Sequence, residues 1–151
     1  MAFTNITRDH MDYHPTFDAY LAAKLRLFSQ VAQDGAVAVV NADAAHAERF
    51  LSAARARGLK LMTVGEQGED LKLVARESLG DSQRLSIVHA GHTYTVMLPL
   101  AGAFQAANAL VAAALAIGLG DDPAKVIAAL AALKGAPGRM EKVAFAASGA
   151  P

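Results

Sequence analysis

Residues 3–64 alternate between short apolar runs and longer amphipathic ones, and this alternation restricts the fold more than any other feature of the chain. Ala36 to Val40 is a continuous apolar run of strand length, the pattern of a parallel strand buried on both faces. The turn Asp34-Gly35 precedes it, and Asn41-Ala42-Asp43 follows at its carboxyl end. Ala2 to Ile6 reads as the end of one strand and Leu59 to Val64 as another. Between them, Pro15 suits the first turn of a helix running to about Ala32. Asp43 is placed to cap a second helix over roughly Ala44 to Arg57, which Gly58 stops. Strand, helix, strand, helix, strand is the order of a parallel α/β sheet.

The pattern then changes. Leu71 to Ser78, Gln83 to His89 and His92 to Leu98 read as three strands, with Ala90-Gly91 as a tight hairpin between the last two. These imply a small three-stranded antiparallel sheet beside the main one. Ala103 to Ile117 is a helix apolar nearly all round, which predicts burial. Its polar side chains are Gln105 and Asn108, one turn apart. Asp121-Asp122-Pro123 starts a last helix, running to Lys134 and ended by Gly135. Ala136-Pro137-Gly138 is a rigid connector, and Arg139 to Phe145 reads as a final short strand.

Basic and acidic residues balance at 14 each, which gives no electrostatic case for nucleic acid or an anionic membrane. Cysteine is absent, excluding disulfides, thiolate metal sites and a cysteine nucleophile. The first residues lack the pattern of a signal peptide. The longest nearly apolar run, Ala106 to Leu119, is interrupted by Asn108 and falls short of a membrane span of ~20 residues. A cytoplasmic protein is the expectation.

One residue breaks the binary pattern. On the wheel of the first helix Phe17, Tyr20, Leu21, Leu25, Phe28 and Val31 form an apolar stripe, and Lys24 falls inside it, between Tyr20 and Phe28. A snorkelling lysine is the plain alternative, but bracketing by aromatic rings argues for a desolvated one. A desolvated lysine favours its neutral amine. That amine is nucleophilic, or adds carbon dioxide to become a carbamate, whose two oxygens suit a hard cation such as Mg²⁺. The preceding loop holds Arg8, Asp9, His10, Asp12 and His14. His10 is a candidate second ligand to the same ion, and a polar surface loop is the alternative.

The run Phe3 to Phe28, FTNITRDHMDYHPTFDAYLAAKLRLF, resembles the signature of the Mur ligases, ATP-dependent enzymes that add amino acids to UDP-N-acetylmuramoyl precursors of peptidoglycan. The spacing from His10 to Lys24 and the triplet Asp12-Tyr13-His14 most resemble the branch adding the third residue, diaminopimelate or lysine. The resemblance implies that His10 binds Mg²⁺, and that Lys24 is carbamylated and helps hold the ion beside the ATP γ-phosphate. In the stretch Gly102 to Asn108, Asn108 is similar to the family's adenine-contacting asparagine. Gln105 stands where the family has another asparagine, and the same contact is not carried over to it. Pro137-Gly138-Arg139-Met140-Glu141 resembles the family's hinge to its C-terminal domain, where the arginine approaches ribose and phosphates.

The resemblance implies a partial central domain. Residues 1–136 match the C-terminal two thirds of the ATP-binding domain, and residues 137–151 the hinge. The sequence holds no G-x-x-x-x-G-K-[ST] phosphate loop, and the uridine-nucleotide and amino-acid-selecting domains have no counterpart in it. The isolated chain is therefore expected to be inactive. It is also expected to self-associate through an unprotected sheet edge. The two alternatives are a folylpolyglutamate synthase-like ligase and a non-catalytic binding or assembly module.

Overall fold

The computed structural model describes residues 1–7 and 14–135. The chain order is β1 (Ala2–Phe3), α1 (Phe17–Arg26), β2 (Val37–Asn41), α2 (Ala47–Ala56), β3 (Lys60–Gly65), β4 (Leu71–Leu79), β5 (Ser82–His89), β6 (His92–Leu98), α3 (Ala103–Leu119) and α4 (Pro123–Ala129). A π-helical turn, Leu27–Val31, continues α1, and a 3-10 turn, Leu130–Ala132, continues α4.

The strands form a six-stranded sheet in the order β1-β2-β3-β4-β5-β6. Strands β1 to β4 pair in parallel, and β4 to β6 are antiparallel. The α/β class and the three antiparallel strands follow the sequence expectation. The antiparallel part is continuous with the main sheet, joined by a short parallel pairing of Val64 with Leu71 and Gly65 with Lys72.

Successive residues of a strand face opposite sides, and β2 divides its residues accordingly. Ala38 and Val40 meet α1 and α2 on one face, while Val39 meets α3 on the other. Phe50 of α2 anchors the first face, stacked on Phe3 at 3.7 Å between ring centroids and edge-on to Phe28 at 5.2 Å. Leu85, Ile87, Leu98, Leu110 and Ile127 are fully buried in the second. The carboxyl end of α3 is held by Lys60, whose Nζ donates to Gly118 O at 2.9 Å, a favourable place for a cation. Helix α3 is largely buried as expected, but its two ends carry exposed Phe104 and Leu119.

Two helix starts contrast. Asp122 caps α4 as expected, accepting from Lys125 N at 3.0 Å. Asp43 does not cap α2. That helix begins at Ala47, after His46 in a left-handed conformation with φ 64°. Loop geometry outcompetes the local capping signal, because Asp43 is committed elsewhere. Among the described residues no helix is long and apolar enough to cross a membrane.

Candidate functional site

Helix α1 is opened by Thr16, whose Oγ1 accepts from Ala19 N at 3.1 Å. A ring cluster follows around Tyr20. His14 lies 5.2 Å from it, Phe17 sits edge-on at 6.5 Å, and Phe17 also meets His46 at 5.3 Å between centroids. The expected buried lysine is not found here. Tyr20 and Phe28 are buried, but Lys24 between them is exposed. Its Nζ lies 5.4 Å from the Tyr20 ring centroid, a cation–π contact at the margin of the core. Snorkelling is thus the arrangement that occurs, and the desolvation inferred from the stripe is absent among the described residues. Val31, also assigned to the stripe, is 64% exposed. The π-helical turn from Leu27 closes i→i+5 bonds, so the wheel drawn at 3.6 residues per turn fails there. His10 and Arg139 lie outside the described residues. No group of three or more His, Asp or Glu side chains able to hold a metal ion occurs among those described.

Asn108 opens onto a cleft of about 290 Å³ at the carboxyl ends of β1, β2 and β3. Thr4 and Asn5 enter it from β1, Asn41 and Asp43 from β2, and Gly65 and Glu66 from β3. Arg76 of β4 and Phe104, Ala107 and Asn108 of α3 complete the rim. Ligands of open α/β sheets bind outside the carboxyl ends of the strands, so this position is significant independently of any motif. Asn108 is half-buried on the wall. Gln105 does not line the cleft.

A chain of hydrogen bonds fixes the floor. Asn41, buried, donates from Nδ2 to Thr4 O at 3.0 Å and accepts on Oδ1 from Asp43 N at 3.2 Å. The Asp43 carboxylate then accepts from Glu66 N at 2.7 Å and Gln67 N at 2.8 Å. Three strand ends are thereby tied together. Gly65 makes this possible. Its φ of +114° is unfavourable for any side chain, and a Cβ there would run into the Asp43 carboxylate. The far end of the same loop is pinned by Asp70, whose Oδ2 accepts from Thr63 N at 2.7 Å.

Sequence reasoning singled out Asn108, noted the segment Asn41-Ala42-Asp43 without giving Asn41 a role, and passed over Arg76 and Gln83. Gln83 is fully buried. Its signal was legible: it occupies the inward phase of β5, two residues before Leu85 and four before Ile87.

Residues 1–116 match the family model described as the Mur ligase middle domain. The UDP-N-acetylmuramoyl-L-alanyl-D-glutamate--2,6-diaminopimelate ligase of Bradyrhizobium diazoefficiens is 52% identical over 93% of this chain and 30% of its own length. The protein of the same name from Mesorhizobium japonicum is 50% identical over 99% of this chain and 31% of its own. A solved structure of a ligase of that name superposes with a TM-score of 0.82 at 30% identity, covering 93% of this chain and 29% of that one. The chain thus spans about 30% of the length of the curated relatives it matches.

Proposed function

The chain belongs to the Mur ligase family, and from that premise we propose that it forms part of a cytoplasmic ATP-dependent ligase. The ligase adds diaminopimelate to UDP-N-acetylmuramoyl-dipeptide during peptidoglycan synthesis. Residues 1–136 are the C-terminal two thirds of its central ATP-binding domain, and residues 137–151 the hinge toward a further domain. Diaminopimelate is chosen over lysine because the relatives sharing about half of the residues carry that amino acid in their names.

The observation that carries this reading is Asn108 on the wall of a cleft at the carboxyl ends of the parallel strands. The cleft of about 290 Å³ lies at the lower margin of the roughly 300–1,000 Å³ of small-molecule sites, a size for the base and ribose of ATP and not the whole nucleotide. Asn108 supplies an amide for the base edge, and Arg139 a forked cation for ribose and phosphates. ATP supplies the phosphoryl group that activates the substrate carboxylate as an acyl phosphate. Mg²⁺ would be held by His10, which lies outside the described residues, and by Lys24 as a carbamate, its exposed amine being accessible to carbon dioxide. The pairing of His10 with a carbamylated Lys24 at a metal therefore rests on the sequence pattern.

In a ligase comprising this chain with its flanking domains, Asn108→Ala should raise KM for ATP about 3–10-fold, the worth of one hydrogen bond. Such a protein should bind the UDP-muramoyl dipeptide and not a folate. The reverse preference would support the synthase alternative. The 151-residue chain alone should form no amide bond, and ATP-dependent ligation by it would contradict the proposal. Self-association through the open sheet edge is part of the proposal, although β1 at that edge is only two residues long. Sedimentation as a monomer at high concentration would count against that part.

A further inference from the structure

Neither the sequence pattern nor the reaction gives Arg76 and Gln83 a role. We propose that Arg76 stacks its guanidinium on the purine ring of the nucleotide, and that Gln83 is the positioning residue that holds it there. The inference rests on the nucleotide reading of the cleft and names the face of the ligand that this wall recognises.

The first observation is a register shift. Strand β4 begins with Leu71 and Leu73 facing the core. Strict alternation would continue through Ala75 and send Arg76 to the opposite face. Leu73 pairs with Ile87, Ala75 pairs with Ser86, and Val74 is the extra residue between them. Beyond it Arg76 pairs with Leu85, and residues opposite one another across strands share a face. Leu85 is fully buried toward α3. The bulge therefore turns Arg76 from the outer face to the cleft side, as bulges beside binding sites do.

The second observation is what waits there. Gln83 uses both ends of its amide. Its Nε2 donates to Leu100 O at 2.6 Å and to Gly102 O at 3.0 Å, at the start of α3. Its Oε1 accepts from Arg76 Nη1 at 3.2 Å. A fully buried amide with these partners has one orientation, so one nitrogen of the guanidinium is held from behind. Arg76 is otherwise exposed and lines the cleft, so its guanidinium is open to a ligand there.

The third observation selects the base over the phosphates. Arg76 is the cation among the described lining residues, against two acids, Asp43 and Glu66. A wall with that balance disfavours a phosphate chain. A neutral, flat heteroaromatic ring suits it, with Ala103, Phe104 and Ala107 as apolar neighbours and the Asn108 amide for the ring edge. A guanidinium stacks well on such a ring.

The test is titration of the chain with adenosine and with ADP, followed calorimetrically, for the unaltered protein and for Arg76→Ala, Arg76→Lys and Gln83→Met. Arg76→Ala should weaken both ligands by the same factor, about tenfold, within the range of a cation–π contact. Arg76→Lys should recover little, because the planar group is lost. Gln83→Met should weaken both in the same direction by less. The double variant should be no weaker than Arg76→Ala alone, the coupling expected of two residues acting as one. Where Gln83→Met lowers the thermal midpoint enough to unfold the chain, the two Arg76 variants decide. Loss confined to ADP would make Arg76 a phosphate contact and overturn the proposal, as would unchanged affinity of Arg76→Ala for both ligands. Failure of a ligase comprising this chain with its flanking domains to bind either ligand would overturn the nucleotide reading itself.

Discussion

Helices α1 and α3 each carry a polar residue, Lys24 and Asn108, that their apolar pattern does not explain, and the two residues have opposite fates. Lys24 of α1 is exposed, resting on Tyr20. Asn108 of α3 is half-buried on the wall of a cleft. The difference lies in what each helix packs against. Helix α3 lies over β2 and β3, and its first turns meet the strand ends, so a polar residue there faces a defined space. Helix α1 packs chiefly on α2 and its own π-helical continuation, and that sector of its stripe is uncovered among the described residues. An interrupted stripe thus marks a site only where a neighbouring element turns the interruption into a wall.

The largest expected effect separates core from margin on the α1 side. Phe50→Ala removes the ring that Phe3 and Phe28 both contact, and should cost about 3–5 kcal/mol in urea unfolding. Lys24→Ala, one turn from Phe28, should change stability by less than about 0.5 kcal/mol. A Lys24→Ala cost of several kcal/mol would restore the buried lysine and erase the contrast between the helices.

The cleft side should show smaller but coupled losses. Gly65→Ala should destabilise by roughly 1–3 kcal/mol, from its backbone conformation alone, and further through the collision with Asp43. Asp43→Ala frees Glu66 N and Gln67 N and should cost about 1–2 kcal/mol. In the Asp43→Ala background, Gly65→Ala should cost less than in the unaltered chain. Strict additivity would mean that the carboxylate and the glycine are not one device.

As small a stability effect as at Lys24→Ala is expected at Asn108→Ala, under about 0.5 kcal/mol for a half-buried residue at a cleft, with its consequence appearing in nucleotide affinity instead. A large loss of stability with unchanged affinity would make Asn108 a structural amide.

These contrasts also explain what was legible in the chain. The strand-helix alternation identified the parallel strands β1 to β3, because continuous runs such as Ala36 to Val40 have few other places to go. The Asp122-Pro123 cap was readable because nothing competes for that carboxylate. Asp43 carries the same local signal, but two backbone amides of another loop claim it. Lys24 was misplaced because periodicity specifies a face and not what covers it. Arg76 was invisible for a further reason: the bulge at Val74 reverses which residues of β4 face inward, and no turn residue announces it. Gln83, a lone amide in the apolar phase of a strand, was the available clue.

The central claim is that the ligand surface of this chain lies at the strand ends and α3, not along the exposed face of α1. Backbone amide shifts of the isotopically labelled chain during ADP titration test it most directly. The account predicts saturable shifts at Asn41, at residues 65–67, at Arg76 and at residues 102–108, with residues 20–25 little changed. Shifts confined to Tyr20, Lys24 and their neighbours, with the cleft silent, would contradict it.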